Sequence, residues 1–211
     1  MDYLAPKLIS FGCSYTQYIY PTYADILKTT NRGVCGTGND RIFYDIMQSY
    51  KNKELDDYDH VIVQWTSQYR FDYLKKDGWT FPDGNITVSK ENKNIWKRLQ
   101  YWFNEDYEYE KLINYMTVVE NLIPKTIFMT MTDIDYPNLF LNHFESITGD
   151  YEFEDFKDKH PTIMQHIEVA NKLAVKLNLT LDKDILLKCF EIDKTIKKTK
   201  HFSADAYTIT Y

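Results

Sequence analysis

The chain has 211 residues, 44% hydrophobic and 27% charged, a length and balance that suit one soluble globular domain with a full core. A net charge of −6 argues against a nucleic-acid surface built on phosphate contacts, and no apolar run approaches the roughly 18 residues of a membrane span. Cys13, Cys35 and Cys189 make neither a disulfide framework nor a metal set, so a reducing, cytoplasmic setting without metal or cofactor is expected. An N-terminus that enters its first strand almost at once is expected to lack a signal peptide.

In chain order, residues 6–12 (PKLISFG) are a short apolar run ending in glycine, the pattern of a buried strand. Residues 21–30 (PTYADILKTT) start with proline and carry apolar residues at helical spacing, which predicts a helix. Three glycines within residues 31–40 (NRGVCGTGND) predict a loop with unusual backbone angles, and an amphipathic helix follows over 41–52. Residues 59–67 (DHVIVQWTS) are the clearest strand, and 77–85 (DGWTFPDGN) a turn-rich excursion. The stretch 90–123 predicts two helices broken near 104–106. Residues 125–131 (KTIFMTM) predict another buried strand, and 160–178 a helix with Pro161 in its first turn. The basic run 194–201 (KTIKKTKH) reads as a solvated tail. Strand–helix alternation predicts a parallel sheet with helices on both faces. The domain is expected over 1–180, with a helical, aromatic-rich insertion at about 68–123 and a C-terminal extension over 181–211.

In open parallel sheets, ligands bind at the carboxyl ends of the strands. Ser14 lies there, just beyond the first strand, where a tight turn can aim amide donors at a developing negative charge. A serine hydroxyl needs a base. Of His60, His143, His160, His166 and His201, His160 is the best candidate, in a polar loop before a long helix. His166, on another part of that helix, is expected to be structural. The same turn and the same histidine also have plain structural readings, as a tight connection and a helix cap.

The order FGCSYT, NRGVCGTGNDRI, VIVQWTSQYRF and DKHPTIMQHIEVANKLA resembles the SGNH (GDSL-type) hydrolases, over about residues 7–178. It is most similar to a divergent branch, frequent in phage and marine bacteria, with an F-G-C-S-[FY]-T opening. A phage-encoded member would act in the host cytoplasm or the virion. The resemblance implies a three-layer α/β/α sandwich around a parallel sheet of about five strands, flavodoxin-like, and esterase-type acyl transfer to water. It implies Ser14 as nucleophile, His160 as general base, and the N–H groups of Ser14 and Gly36 as oxyanion donors. Gly33 and Gly38 are read as permitting the loop's shape.

This sequence departs from the family pattern in three places. The third block has Ser67 where the family has an asparagine donor, which leaves Ser67, Asn39 or Gln68 to replace it. Asn39 is favoured, and Asn39→Ala is then expected to lower turnover with little change in melting temperature. Cys13 replaces the first-block aspartate and is itself an alternative nucleophile. Lys157 stands three residues before His160, so Asp158 is expected to orient the imidazole. Arg70, Gln68 and Trp65, at the end of the third block, are expected to meet substrate, with Arg70 holding a carboxylate or phosphate or pairing near Asp72. The expected partner is a small-molecule or carbohydrate ester, and the oligomeric state is left open. Two other classes stay in play: a non-catalytic binding or phage accessory module, and an acyltransferase using the same serine.

Overall fold

The computed structural model describes residues 5–70, 72–75, 78–80, 104–144, 151–153, 157–158 and 160–200. The chain runs β1 (Leu8–Phe11), α1 (Tyr23–Ile26), β2 (Thr30–Asn31), α2 (Asn39–Lys51), a 3-10 turn (Glu54–Asp57) and β3 (His60–Trp65). A hairpin of β4 (Tyr73–Lys75) and β5 (Gly78–Thr80) follows, then α3 (Glu105–Leu122) and β6 (Thr126–Thr130). The small pair β7 (Tyr151–Glu152) and β8 (Lys157–Asp158) precedes α4 (Ile163–Leu177) and α5 (Lys183–Thr199).

The main sheet is parallel, in the order β2-β1-β3-β6. The expected strands at 6–12, 59–67 and 125–131 are therefore neighbours in one sheet, trimmed at their ends. Among the described residues the main sheet has four strands, where about five are expected. Beyond β6 the chain returns alongside it only at Leu141, in a single parallel bridge to Met129. Left-handed backbone at Asn138 and His143, φ 64° and 59°, stops that segment from extending into a strand.

Period-two alternation sends side chains to two cores. Ile9, Phe11, Val61, Val63, Trp65 and Phe128 pack beneath α2 and α3. Leu8, Ile62, Ile127 and Met129 pack with α1, α4 and α5 on the other side. Helices thus cover both faces, as the near-continuous apolar strands require.

Several boundaries differ from the sequence reading. The helix expected over 21–30 is only Tyr23–Ile26, capped by Thr22 and Asp25. Lys28 turns left-handed at φ 54°, and Thr30–Asn31 then joins the sheet. That short strand joins the last residue of the expected helix to the first of the expected loop. Helix α2 begins at Asn39, and α3 at Glu105 behind Asn104, whose side chain accepts the Tyr107 N–H. The helix expected before that break, like the turn-rich residues 81–85, lies outside the described residues. Pro161 is not in the first turn of α4 but just before its cap, Thr162. The basic run expected as a solvated tail from 194 is helical as far as Thr199: it ends α5, which buries Ile185, Cys189, Asp193 and Ile196 against the domain while its lysines lie exposed on the outer face.

Candidate active site

The sheet changes direction of winding at β1. The chain moves from β1 to β2 on one side, then to β3 on the other, which opens a crevice beyond their carboxyl ends. Ser14 sits there, 2% exposed, in a single helical turn closed by Thr16 and Gln17 N–H donating to the Cys13 carbonyl. Gly12 permits this turn. A Cβ at residue 12 would lie 2.1 Å from Thr16 Oγ1 and 3.0 Å from the Gln64 carbonyl.

His160 Nε2 lies 2.9 Å from Ser14 Oγ, and its Nδ1 lies 2.7 Å from Asp158 Oδ1. The same oxygen accepts the His160 backbone N–H at 3.1 Å. Burial, the largest influence on Asp158, pushes its carboxyl up. The hydrogen bonds and charge of His160, with the Tyr20 hydroxyl, outweigh it and hold the group below the ordinary carboxylate range. An ionised Asp158 only accepts, so His160 Nδ1 carries the proton and Nε2 faces Ser14 as acceptor. Ser14, His160 and Asp158 thereby form one continuous contact in which the imidazole can take the serine proton while the carboxylate fixes its tautomer.

Two tyrosines that the sequence reading did not single out complete the arrangement. Tyr20 donates to Asp158 Oδ2 at 3.0 Å and also lies 3.1 Å from the Pro161 carbonyl. Tyr18 donates to Asp158 Oδ1 at 3.3 Å and stacks on the His160 ring with centroids 4.0 Å apart. Burial first, then the Asp158 charge, pushes both phenols above their ordinary range, so they remain donors. Tyr15 meets the imidazole edge-on at 5.6 Å. The available signal is the Y-x-Y pattern straight after the nucleophile turn, hidden in a chain with 18 tyrosines. Gln64 is the other unanticipated member. Its Oε1 accepts from the Cys13 N–H at 3.3 Å and the Cys13 thiol at 3.0 Å, tying the turn to β3. A glutamine inside an apolar strand was the cue.

The second-block loop is laced to the same turn. Val34 N–H donates to the Gly12 carbonyl at 2.9 Å, and Cys35 N–H to Gln17 Oε1 at 3.3 Å. Gly36 follows at φ 81°, a left-handed geometry that disfavours side chains. Among the described residues, nothing accepts the N–H of Ser14 or of Gly36, so both remain free to donate to a ligand.

The remaining expected site residues separate. Asn39 is 6% exposed, and its side chain clasps Thr66: Oδ1 accepts the Thr66 N–H at 2.9 Å while Nδ2 donates to the Thr66 carbonyl at 3.0 Å. It joins the start of α2 to the end of β3. Ser67 Oγ accepts the Tyr69 N–H at 3.2 Å in a tight turn. Gln68 Oε1 accepts from Thr132 at 3.2 Å. Trp65 has no exposed surface and belongs to the core, 6.2 Å from Phe128 between ring centroids; strand alternation turns it away from the crevice. Arg70 does not pair with Asp72, whose oxygens accept the N–H groups of Gly38 and Arg41. Burial raises Asp72 to about 6. Cys13 is fully buried with its sulfur 4.0 Å from Ser14 Oγ. His166 is buried among the rings of Tyr20, Tyr23 and Phe144, and burial lowers it to about 3.

Among the described residues, no group of three or more His, Cys, Asp or Glu side chains converges as a metal site would require. No described helix is long and apolar enough to cross a membrane. A cavity of about 930 Å³ lies at the opposite end of the sheet, beside Lys7, Leu27, Tyr58 and Leu181, away from Ser14 and His160. No protein-family model matches the chain, and no curated protein matches it.

Proposed function

We propose that the chain is a serine ester hydrolase of the SGNH type, built as that family's three-layer sandwich, which removes a small acyl group such as O-acetyl from a carbohydrate. The observation that carries this reading is the continuous Ser14–His160–Asp158 contact at the carboxyl end of β1. In that chemistry His160 Nε2 takes the Ser14 proton as Oγ bonds to the ester carbonyl carbon. The N–H groups of Ser14 and Gly36 receive the oxyanion. His160 then protonates the departing alcohol as the C–O bond breaks. Water, deprotonated by His160, attacks the acyl-serine, and the proton returns to Ser14 as the acid leaves. Asp158, fixed by Tyr18 and Tyr20, holds the imidazole tautomer throughout.

The test is an acyl-ester panel including acetylated sugars, with a serine-directed phosphonate and mass spectrometry. Wild type and Cys13→Ala are expected to hydrolyse and to be labelled at Ser14, whereas Ser14→Ala loses both. Activity kept in Ser14→Ala and lost in Cys13→Ala moves the nucleophile by one residue. The tied side chains of Asn39 and Ser67 favour a second reading, a binding module that keeps the fold without turnover. Unlabelled wild type, inert on every ester, supports that alternative.

A further inference from the structure

Four described residues have buried side-chain nitrogen or oxygen atoms that no hydrogen bond satisfies: Thr37, Trp65, Arg70 and His166. Trp65 and His166 are packed among core side chains. Thr37 Oγ1 and Arg70 Nη1 belong instead to two loops that touch at the carboxyl end of the sheet. Arg70 closes the turn after β3, its N–H donating to the Ser67 carbonyl at 3.1 Å. A Cβ on Gly38 would lie 2.7 Å from the Arg70 carbonyl, so this turn sits directly on the Gly36–Gly38 loop. Thr37, 1% exposed, is the middle residue of that loop. Cys35, beside it, lies in the fields of both the Arg70 guanidinium and the Asp158 carboxylate. Arg70, half-buried with its Nη1 unpaired, and the turn that carries Ser14 therefore both border residues 35–38.

A guanidinium N–H withdrawn from water without an acceptor is costly, more so than a neutral donor. No described carboxylate offsets it, because Asp72, two residues on, is engaged by Gly38 and Arg41. Arginine's planar fork matches carboxylate and phosphate oxygens, and a hydroxyl is a fitting additional donor. In a chain of net charge −6, attraction for an anion has to be local.

We infer that Arg70, with the Thr37 hydroxyl, receives an oxyanion on the substrate, so that the ester cleaved at Ser14 belongs to an acidic molecule: an O-acylated sugar bearing a carboxylate or a phosphate. This rests on the hydrolase reading and narrows its substrate class. Arg70 is a specificity-determining residue and takes no part in proton transfer.

The experiment measures kcat/KM on matched pairs: an O-acetyl uronate against its methyl ester, and an O-acetyl sugar phosphate against the uncharged O-acetyl sugar. Wild type is expected to favour the charged member of at least one pair by tenfold or more. Which pair does so identifies carboxylate or phosphate. Arg70→Gln is expected to erase that preference by lowering kcat/KM on the charged member at least tenfold more than on the neutral one, and Arg70→Lys to restore part of it. Equal rates on both members in wild type, or an equal fall on both in Arg70→Gln at unchanged melting temperature, overturns the inference and leaves the hydrolase reading intact. A binding arm is independent of turnover. Glucuronate or inorganic phosphate is expected to raise the melting temperature of wild type and of Ser14→Ala but not of Arg70→Gln. If wild type is inert and Ser14 escapes phosphonate, the hydrolase reading fails, and this thermal shift alone decides whether Arg70 is an anion site. No shift with either anion then overturns that as well.

Discussion

Replacing Asn39 by alanine separates an oxyanion donor from a structural clasp, because the two roles move different observables. The amide makes two buried hydrogen bonds to the backbone of Thr66, at 2.9 and 3.0 Å. Alanine removes both partners and leaves a buried N–H and a buried carbonyl at the end of β3. Each such group costs about 1–3 kcal/mol when left unmade, so a total loss of about 2–6 kcal/mol is expected. For a domain of this size that corresponds to a fall in melting temperature of roughly 4–24 °C. The assay is thermal unfolding followed by circular dichroism, with ester turnover measured well below the transition. A folded Asn39→Ala protein is expected to retain turnover within about tenfold of wild type, since Ser14 and Gly36 N–H still serve the oxyanion. An unchanged melting temperature with a turnover loss of 10²–10³, the scale of one lost side-chain donor, would refute the clasp. The structure thus reverses the expectation drawn from the sequence, in which turnover fell and stability did not.

Asp158→Asn is expected to lower kcat by about 10⁴, the scale of losing the carboxylate that orients such a triad; a loss under tenfold in steady-state kinetics would show that His160 is held by other means. Asp158 is held below the ordinary carboxylate range, so its contribution to stability is present at neutral pH and vanishes as pH falls through that lowered value. His166 acts in the same direction by a different route: it is buried neutral and lowered to about 3, so the unfolded chain takes up a proton below roughly pH 6.5 that the folded one does not. Stability is therefore lost as pH falls from about 6.5 towards 3, by about 2 kcal/mol at pH 5 from this group alone. His166→Leu is expected to remove that part of the pH dependence in urea unfolding, and parallel wild-type and variant profiles would contradict the neutral, buried imidazole. Tyr20→Phe, which deletes the donor to Asp158 Oδ2, is expected to cost tenfold or less in kcat and to raise the pH of the acid limb, with an unmoved limb counting against it.

The sequence alone determined the three long strands of the main sheet and the candidate residues just beyond the first of them. Runs such as LISF and HVIVQW are largely apolar and buried on both faces, as strands of a sheet covered on both sides are. The small-residue turn after the first of them, and a histidine ahead of a capped helix, were legible because local backbone rules fix both. Distance was not legible. Ser14 and His160 stand 146 residues apart in the chain, and only the packing of α4 against α1, with Tyr20 bonded to the Pro161 carbonyl, brings them to 2.9 Å. The roles of Asn39 and Trp65 were likewise tertiary decisions. An amide beside a glycine loop serves equally as donor or clasp until Thr66 arrives, and a tryptophan's face depends on strand register. The roles of Tyr18, Tyr20 and Gln64 were tertiary decisions for the same reason: a side chain's partner is set by the elements folded against it. The helix over 183–199 went unread because its lysines dominate the composition, while the four residues it buries matter only once α4 supplies a surface to bury them against.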